Sequence, residues 1–246
     1  MTADAKVRLY VEQPLGPGQP VALDEGHANY LFNVMRLARG DQIRLFNRQD
    51  GEWLAVVEQV GKRQGIARAL AQTRPHTPPP DMWLIFAPIR KARLDMLVEK
   101  AVELGAGRLV PVQTRFTNAE RLRPDKMRAH MIEAAEQCGA TYLPDLADLI
   151  PLDRLLSTWP AGRRLYWADE GLSGRAAGLK AALEADKGTP AALLIGPEGG
   201  FAPEEREQLR ALAFVTPISL GPRILRAETA ALAALTLWQS AAGDWT

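Results

Sequence analysis

Two glycine-bearing turns in the C-terminal part of the chain have the residue types and the spacing of a ligand-binding site. The segments LLIGPEGG (193–200) and ISLGPRILRAETA (218–230) each place a turn directly after an apolar strand and before a helix. Sheets of α/β proteins bind their ligands at such turns. Glycine lets the backbone approach a ligand closely. Two such turns in one domain therefore predict one shared pocket.

The residues around these glycines limit the chemistry of the pocket. No Lys-Ser or Lys-Thr pair follows either turn and no GxGxxG motif follows a first strand, so the sequence does not indicate a nucleotide-phosphate site. A ligand held by backbone groups and apolar walls fits better. The alternative is that GPEGG (196–200) only connects a strand to a helix, which a single glycine cluster does not exclude.

An alternation of strands and helices from residue 82 onwards would position both turns. We predict strands at 82–87, 108–113, 165–168, 191–195 and 217–220, and helices at 94–105, 124–138, 152–158, from Pro203 onwards and at 227–242. This order predicts an α/β fold with a mostly parallel sheet covered by helices. The last helix is apolar around most of its circumference, so it must be buried inside the domain or against another subunit.

The first 73 residues have the pattern of a small β-barrel with one helix. Strands are predicted at 7–11, 42–46, 53–60 and 66–71, with a hairpin turn at Asp50-Gly51. Asp24 can cap a helix whose apolar side carries Tyr30, Leu31, Val34 and Met35. The proline-rich segment 74–80 is unsuited to a helix or a central strand. The predicted organisation is therefore a barrel at 1–73, a linker at 74–80 and an α/β domain at 81–246.

Composition narrows the class of protein. A chain of 246 residues with 47% apolar and 24% charged residues has the composition of a globular protein. Cys138 is the only cysteine and the three histidines lie far apart, which predicts neither a disulfide nor a metal site. No run of residues is apolar enough for a signal peptide or a membrane helix, so we expect a cytoplasmic protein.

Basic residues are concentrated in the middle of the chain. Residues 90–128 contain ten lysines and arginines against five acidic residues. Such a run is usually a solvated face. The groups RKAR (90–93) and RLRPDKMR (121–128) can instead form a phosphate-binding surface if the fold brings them together.

Several motifs in order resemble the RsmE-type 16S ribosomal RNA uracil-N3-methyltransferases of the SPOUT superfamily. The resemblance covers nearly the whole chain. It is carried by GPEGGF (196–201) with PEE (203–205), by LGPRILRAETA (220–230), by EKAVELG (99–105) and EAAEQCG (133–139), and by HANYLFNVMRLARGD (27–41).

The resemblance implies a fold, a cofactor and partners. The fold is an N-terminal PUA-like RNA-binding β-barrel followed by a SPOUT methyltransferase domain whose backbone forms a trefoil knot. The cofactor is S-adenosylmethionine, with no metal. The implied partners are 16S ribosomal RNA in the 30S subunit and a second copy of the chain in a homodimer.

The resemblance also implies residue roles. Cofactor binding would involve Ile195, Gly196, Pro197, Glu198, Gly199, Gly200, Leu220, Gly221, Ile224 and Leu225. The RNA implied by the resemblance would be bound by the basic run described above, and the residues expected to do so are Arg90, Lys91, Arg93, Arg115, Arg121 and Arg123.

Methyl transfer to uracil N3 requires loss of the N3 proton and stabilisation of negative charge on the ring. Arg226 and Arg223 are the candidate cations, and either can instead be a structural arginine that ties loop carbonyls together. Glu228 and Glu198 are the carboxylates within the two glycine-bearing segments. Glu228 is the candidate proton acceptor, with a charge at a helix N-terminus as its alternative role.

One position departs from the family pattern. Ala140 stands where related sequences commonly have an arginine, so Arg115 or Arg128 would have to supply its contacts. Two other functions stay open. One is a SPOUT methyltransferase for transfer RNA or 23S ribosomal RNA, and the other is an RNA-binding protein without catalysis.

Overall fold

The computed structural model describes residues 5, 7–117, 122–174, 179, 182–183 and 188–245. The chain divides into two compact units. The first comprises Met1–Pro78 together with Ala135–Leu143, and the second comprises Pro79–Ala134 together with Pro144–Thr246. The sequence did not indicate that 135–143 belongs with the N-terminal residues.

The first unit is built on a curled five-stranded sheet in the order β1-β3-β4-β5-β2. Its strands are β1 (Arg8–Tyr10), β2 (Pro20–Leu23), β3 (Gln42–Asn47), β4 (Gly51–Val60) and β5 (Gly65–Arg74). Only β1 runs parallel to its neighbour, and the other pairs are antiparallel. The buried side chains are mainly aliphatic, including Val21, Leu31 and Ile43, and form one apolar core.

The two edge strands of this sheet, β1 and β2, are joined by side-chain hydrogen bonds rather than by backbone pairing. No backbone pairing joins β1 to β2 in the described part of the chain, so the predicted barrel is a curled sheet. Gln13, which follows β1, spans the seam instead. Its amide nitrogen donates to the Ala22 carbonyl at 2.9 Å, and its amide oxygen accepts from the Ala22 N–H at 2.8 Å.

The helix predicted after Asp24 is short and changes its winding. Helix α1 (Glu25–Ala28) begins where the Asp24 carboxylate accepts the His27 N–H at 2.8 Å, and it continues as a π-helical segment, Asn29–Val34. The predicted apolar side was wrong in part. Leu31 is fully buried, whereas Tyr30, Val34 and Met35 are exposed. The wider π-helical turn disrupts the regular spacing on which the predicted face depended.

Residues 135–143 are held to the first unit by charged hydrogen bonds. Arg8 donates to the carbonyls of Ala135, at 2.5 Å, and Ala140, while its Nε donates to Glu52 at 2.6 Å. His76 Nδ1 lies 2.8 Å from the Thr141 carbonyl oxygen. The unit thus includes a segment that lies far from it in sequence.

The second unit contains a parallel sheet in the order β12-β10-β11-β6-β7-β8, with β9 also paired to β7. Its strands are β6 (Met82–Phe86), β7 (Arg108–Gln113), β8 (Asp145–Leu146), β9 (Ile150–Pro151), β10 (Arg164–Ala168), β11 (Ala191–Ile195) and β12 (Val215–Ile218). Every residue of β11 is buried, as expected of a strand covered on both faces. The parallel sheet predicted from the sequence is confirmed.

The described helices of the second unit follow the predicted alternation. They are α2 (Lys91–Glu103), α3 (Pro124–Cys138, whose last residues belong to the first unit), α4 (Leu152–Ser157), α5 (Pro203–Ala211) and α6 (Ala227–Ala242). Helix α6 packs against α2 and β11. Its buried face includes Ala231, Ala234 and Leu235, and Gln239 donates to the Leu104 carbonyl at 2.8 Å. Leu237 on the other side is 37% exposed.

Candidate cofactor site at the carboxyl edge of the parallel sheet

A cavity of about 400 Å³ lies where three neighbouring strands of the second unit end. The segments that follow β10, β11 and β12 form its walls, and the start of α6 closes one side. Because the carboxyl ends of parallel strands meet at one edge, distant segments of the chain converge there. This volume lies within the range of small-molecule and cofactor sites.

The first glycine turn forms one wall of the cavity. Gly200 has φ +70°, and its N–H donates to the Pro197 carbonyl at 3.0 Å. Phe201, next in sequence, packs its ring against Gly196, where a Cβ would lie 2.6 Å from the ring. The turn is therefore held close to the sheet and presents its backbone to the cavity.

Helix α5 fixes the end of this turn. The Glu205 carboxylate accepts the N–H of Ala202 at 2.9 Å with one oxygen and the N–H of Arg115 at 2.8 Å with the other. Glu205 thus ties the loop after β7 to the loop after β11. A carboxylate in the first turn of a helix is also favoured by the helix dipole.

The second glycine turn forms the opposite wall. Its described residues 219–226 include Leu220 and Leu225, whose side chains are half-buried, and Arg223 and Arg226, which are exposed. Neither arginine has an ion-pair partner in the part of the chain that the structure describes. Their charges are therefore free to meet a ligand.

A third wall is acidic and was not anticipated. Asp169, whose side chain is fully buried, accepts from Arg206 at 2.5 Å, from Arg210 at 2.8 Å and from the Gly171 N–H at 2.9 Å. Glu170 accepts from Arg206 at 2.6 Å. The sequence shows Asp169 and Glu170 directly after a buried strand. Whether this acidic pair reaches the cavity depends on which strands lie beside that strand in the sheet.

The cofactor-binding residues predicted from the sequence come together in this cavity. All except Gly199 line it. The position of a Cβ on Gly199 lies 3.1 Å from the Cβ of Phe116, in the loop after β7. The structure adds Ala168, Asp169, Glu170, Ser173, Ile218, Ser219, Ala227 and Ala230 to the walls.

Arg93 and Glu228 form a separate ion-pair cluster. Arg93 Nη1 lies 3.8 Å from Glu198, and its Nε lies 3.5 Å from Glu228. Glu228 is 7% exposed, does not line the cavity, and has one carboxylate oxygen without a hydrogen bond among the described residues. The cluster joins the start of α2, the first glycine turn and the start of α6. Arg93 thus forms ion pairs with two carboxylates, whereas the sequence predicted that it binds RNA.

The other predicted RNA-binding residues lie at several places in the second unit. Arg90 and Lys91 are exposed at the start of α2, and Arg115 is exposed after β7. Arg123 is paired with Asp125 at 2.9 Å, just before and within the first turn of α3. Arg121 lies outside the described residues.

The donor groups in the cavity are backbone amides, carbonyls and carboxylates. Among the described residues there is no group of three or more His, Cys, Asp or Glu side chains able to hold a metal ion. No helix within those residues has the length and hydropathy required to cross a bilayer.

These features define a class of protein. A cofactor-sized cavity at the carboxyl edge of a parallel sheet, with glycine turns, apolar walls and free arginines, belongs to an α/β cofactor-binding enzyme. It accompanies a small β-rich unit. Comparison with known proteins gives the family.

A family profile described as an RNA methyltransferase domain matches residues 76–239, and one described as an RNA methyltransferase PUA domain matches residues 23–70. This chain belongs to the RNA methyltransferase family, and the resemblance drawn from its motifs is confirmed.

Individual relatives agree over nearly the full chain. Ribosomal RNA small subunit methyltransferase E of Rickettsia conorii is 29% identical, with 93% of each chain covered. The enzyme of that name from Neisseria gonorrhoeae, solved with bound S-adenosylmethionine, is 28% identical with a TM-score of 0.83, covering 98% of this chain and 99% of its own. A Legionella pneumophila protein described as a methyltransferase, solved with the same cofactor, is 30% identical with a TM-score of 0.84, covering 97% and 98%.

Proposed function

We propose that this protein is an S-adenosylmethionine-dependent methyltransferase that methylates N3 of a uridine in 16S ribosomal RNA. The observation that carries the proposal is the cavity formed by both glycine turns at the sheet edge. The names of the related proteins support the RNA substrate and the cofactor. The choice of uracil N3 rests on the family resemblance.

The cavity suits S-adenosylmethionine in shape and charge. Its volume and its apolar residues Ile195, Leu220 and Leu225 fit an adenosine group, and exposed backbone in both turns can bind the adenine edge. The sulfonium and ammonium groups are cationic, and Glu170 and Glu198 provide carboxylates on the walls. There is little spare space beside the first turn, since a Cβ on Gly200 would lie 2.6 Å from the Glu170 carboxylate.

The bound cofactor supplies an electrophilic methyl group, and the protein must align it with the uracil. Alignment accounts for much of the rate when the reaction is a displacement between two bound groups. Arg223 and Arg226 flank the cavity with unpaired charges, so they can stabilise negative charge that develops on the uracil oxygens.

A carboxylate can accept the N3 proton. Arg93 lies within 4 Å of both predicted candidates, but Glu198 lines the cavity, whereas Glu228 is buried and does not. The geometry therefore favours Glu198 for contact with the substrate and gives Glu228 a positioning role at the start of α6.

The proposal includes three finer features that the family resemblance implies. The first is the trefoil knot, which is supported by the return of the chain from β12 to α6 against β11 and by a hydrogen bond from the Gly174 N–H to the Gly221 carbonyl at 3.1 Å. The second is a homodimer that covers the exposed side of α6. The third is recognition of the assembled 30S subunit, because RNA folded from several segments is read by shape.

The experiment is methyl transfer from isotope-labelled S-adenosylmethionine to purified 30S subunits, free 16S ribosomal RNA, 23S ribosomal RNA and transfer RNA. We expect label in 16S ribosomal RNA, recovered as 3-methyluridine by nucleoside mass spectrometry. Label in another RNA would identify a different substrate. A protein that binds these RNAs but transfers label to none of them would be a non-catalytic RNA-binding protein, and the proposed function would be wrong.

A further inference from the structure

Phe116 is an exposed aromatic residue beside the cavity. It follows β7, and its side chain is 46% exposed. Its Cβ lies 3.1 Å from the Cβ position of Gly199, the residue between Glu198 and Gly200 on the cavity wall. It belongs to none of the sequence motifs described above.

The loop that carries Phe116 is held firmly. The Thr114 N–H donates to the Thr117 hydroxyl at 2.9 Å, the two hydroxyls lie 2.8 Å apart, and the Thr117 N–H donates to the Thr114 carbonyl at 3.2 Å. Glu205 accepts the Arg115 N–H at 2.8 Å and so ties the loop to α5. An exposed aromatic ring on a hydrogen-bonded turn can bind a flat ligand at a low cost in conformational entropy.

The ligand expected next to this ring is a nucleobase. Proteins that recognise single-stranded or splayed-out bases stack them on aromatic side chains, because every base has a flat π-face. Arg115, adjacent in sequence and exposed, adds a positive charge for the phosphate backbone. Gly199 belongs to the first glycine turn, and its neighbours Glu198 and Gly200 line the cavity, so a base stacked on Phe116 would be close to the cofactor.

We propose that Phe116 stacks on the uracil that receives the methyl group and selects a splayed-out base at the cavity mouth. The inference rests on the proposed function, since it requires an RNA substrate. Phe116 acts here as a positioning residue, because stacking fixes the plane of the ring and therefore the direction of N3 relative to the methyl group.

The test compares Phe116→Ala, Phe116→Leu and Phe116→Tyr. Loss of one stacked base lowers affinity about 5- to 150-fold, so kcat/KM for RNA should fall by that range in the alanine variant. The leucine variant keeps an apolar cover on Gly199 without a flat ring and should recover only part of the loss. The tyrosine variant should remain within about twofold of wild type.

Two measurements separate stacking from a structural role. Affinity for S-adenosylmethionine and the melting temperature should be unchanged in all three variants. Wild-type activity in Phe116→Leu, a loss of cofactor affinity in Phe116→Ala, or a change in oligomeric state would each overturn the inference.

Photocrosslinking detects contact independently of methyl transfer. The probe is a 30S subunit reconstituted with 16S ribosomal RNA that contains 5-iodouridine, bound to the full-length protein and irradiated, with peptides mapped by mass spectrometry. We expect a crosslink at Phe116. A crosslink there without methyl transfer would support stacking and contradict the proposed function. Methyl transfer without a crosslink at Phe116 would support the proposed function and overturn the stacking inference.

Discussion

The substitution Gly200→Ala tests whether the first glycine turn binds the cofactor. Gly200 has φ +70°, a left-handed conformation that costs an L-residue about 1–2 kcal/mol. The new Cβ would also lie 2.6 Å from Glu170 Oε1 and displace a carboxylate that is bonded to Arg206 at 2.6 Å. The first effect lowers stability, and the second changes the cavity wall.

Gly162→Ala is the matched control. Gly162 has φ +81°, lies before β10, and has no atom within 4 Å of its Cβ position among the described residues. It therefore has the same kind of backbone strain without a change at the cavity. Each kcal/mol lowers the melting temperature of a domain of this size by about 2–4 °C, so both variants should melt roughly 2–8 °C lower.

Only Gly200→Ala should lose cofactor affinity. Displacing the carboxylate from the wall should raise the Kd for S-adenosylmethionine about tenfold or more in isothermal titration calorimetry, which corresponds to about 1.4 kcal/mol. Binding should be unaffected by EDTA in the wild type. Wild-type affinity in Gly200→Ala, or an equal loss in Gly162→Ala, would refute the reasoning.

Three further predictions concern the arginines and the first unit. If Arg226 has the proposed role, its charge acts mainly in the transition state, so Arg226→Ala should slow single-turnover methylation about a hundredfold with little change in cofactor affinity. A joint loss of cofactor affinity and melting temperature would instead indicate a structural arginine. Arg90→Met should reduce the slope of log K for RNA against log salt by about one unit, because Arg90 is exposed and has no ion-pair partner among the described residues, whereas Arg93→Met should leave that slope unchanged, since Arg93 is paired with carboxylates. Burial raises the pKa of Glu52, but hydrogen bonds from Arg8 and Thr73 outweigh this and hold the pKa below its ordinary value of 4.5. The wild type should therefore lose stability as the pH falls below about 4.5 and through the lowered pKa, and melting temperatures from pH 7 to 3 should show a weaker acid dependence in Glu52→Gln. Glu58 is half-buried and pairs with Arg68 at 2.5 Å, so Glu58→Gln is a control that should change the melting temperature little at pH 7.

The features that the sequence predicted best are local. Periodicity located β11 and the last helix at their observed bounds, because a fully buried strand and an apolar helix have distinct patterns. Glycine turns located two walls of the cavity, because such turns follow strands directly. The short strand β2 was missed, since it begins with a proline and spans Pro20–Leu23 at an edge of the sheet.

The features that the sequence did not predict depend on distant contacts. The acidic wall at Asp169 becomes part of the site only because β10 lies between β11 and β12. The pairing of Arg93 with Glu198 and Glu228 joins residues more than a hundred positions apart. The proposed role of Phe116 likewise depends on its proximity to Gly199, which no pattern around residue 116 indicates.

The inclusion of residues 135–143 in the first unit makes it a discontinuous domain. A fragment that ends at Pro78 would lack the carbonyls of Ala135 and Ala140 that accept from Arg8, and the carbonyl of Thr141 that contacts His76. Removing the partners of a buried guanidinium is costly. The chain therefore cannot be divided into independent modules by a single cut, and exchange of this domain between related enzymes would require two segments to be transplanted together.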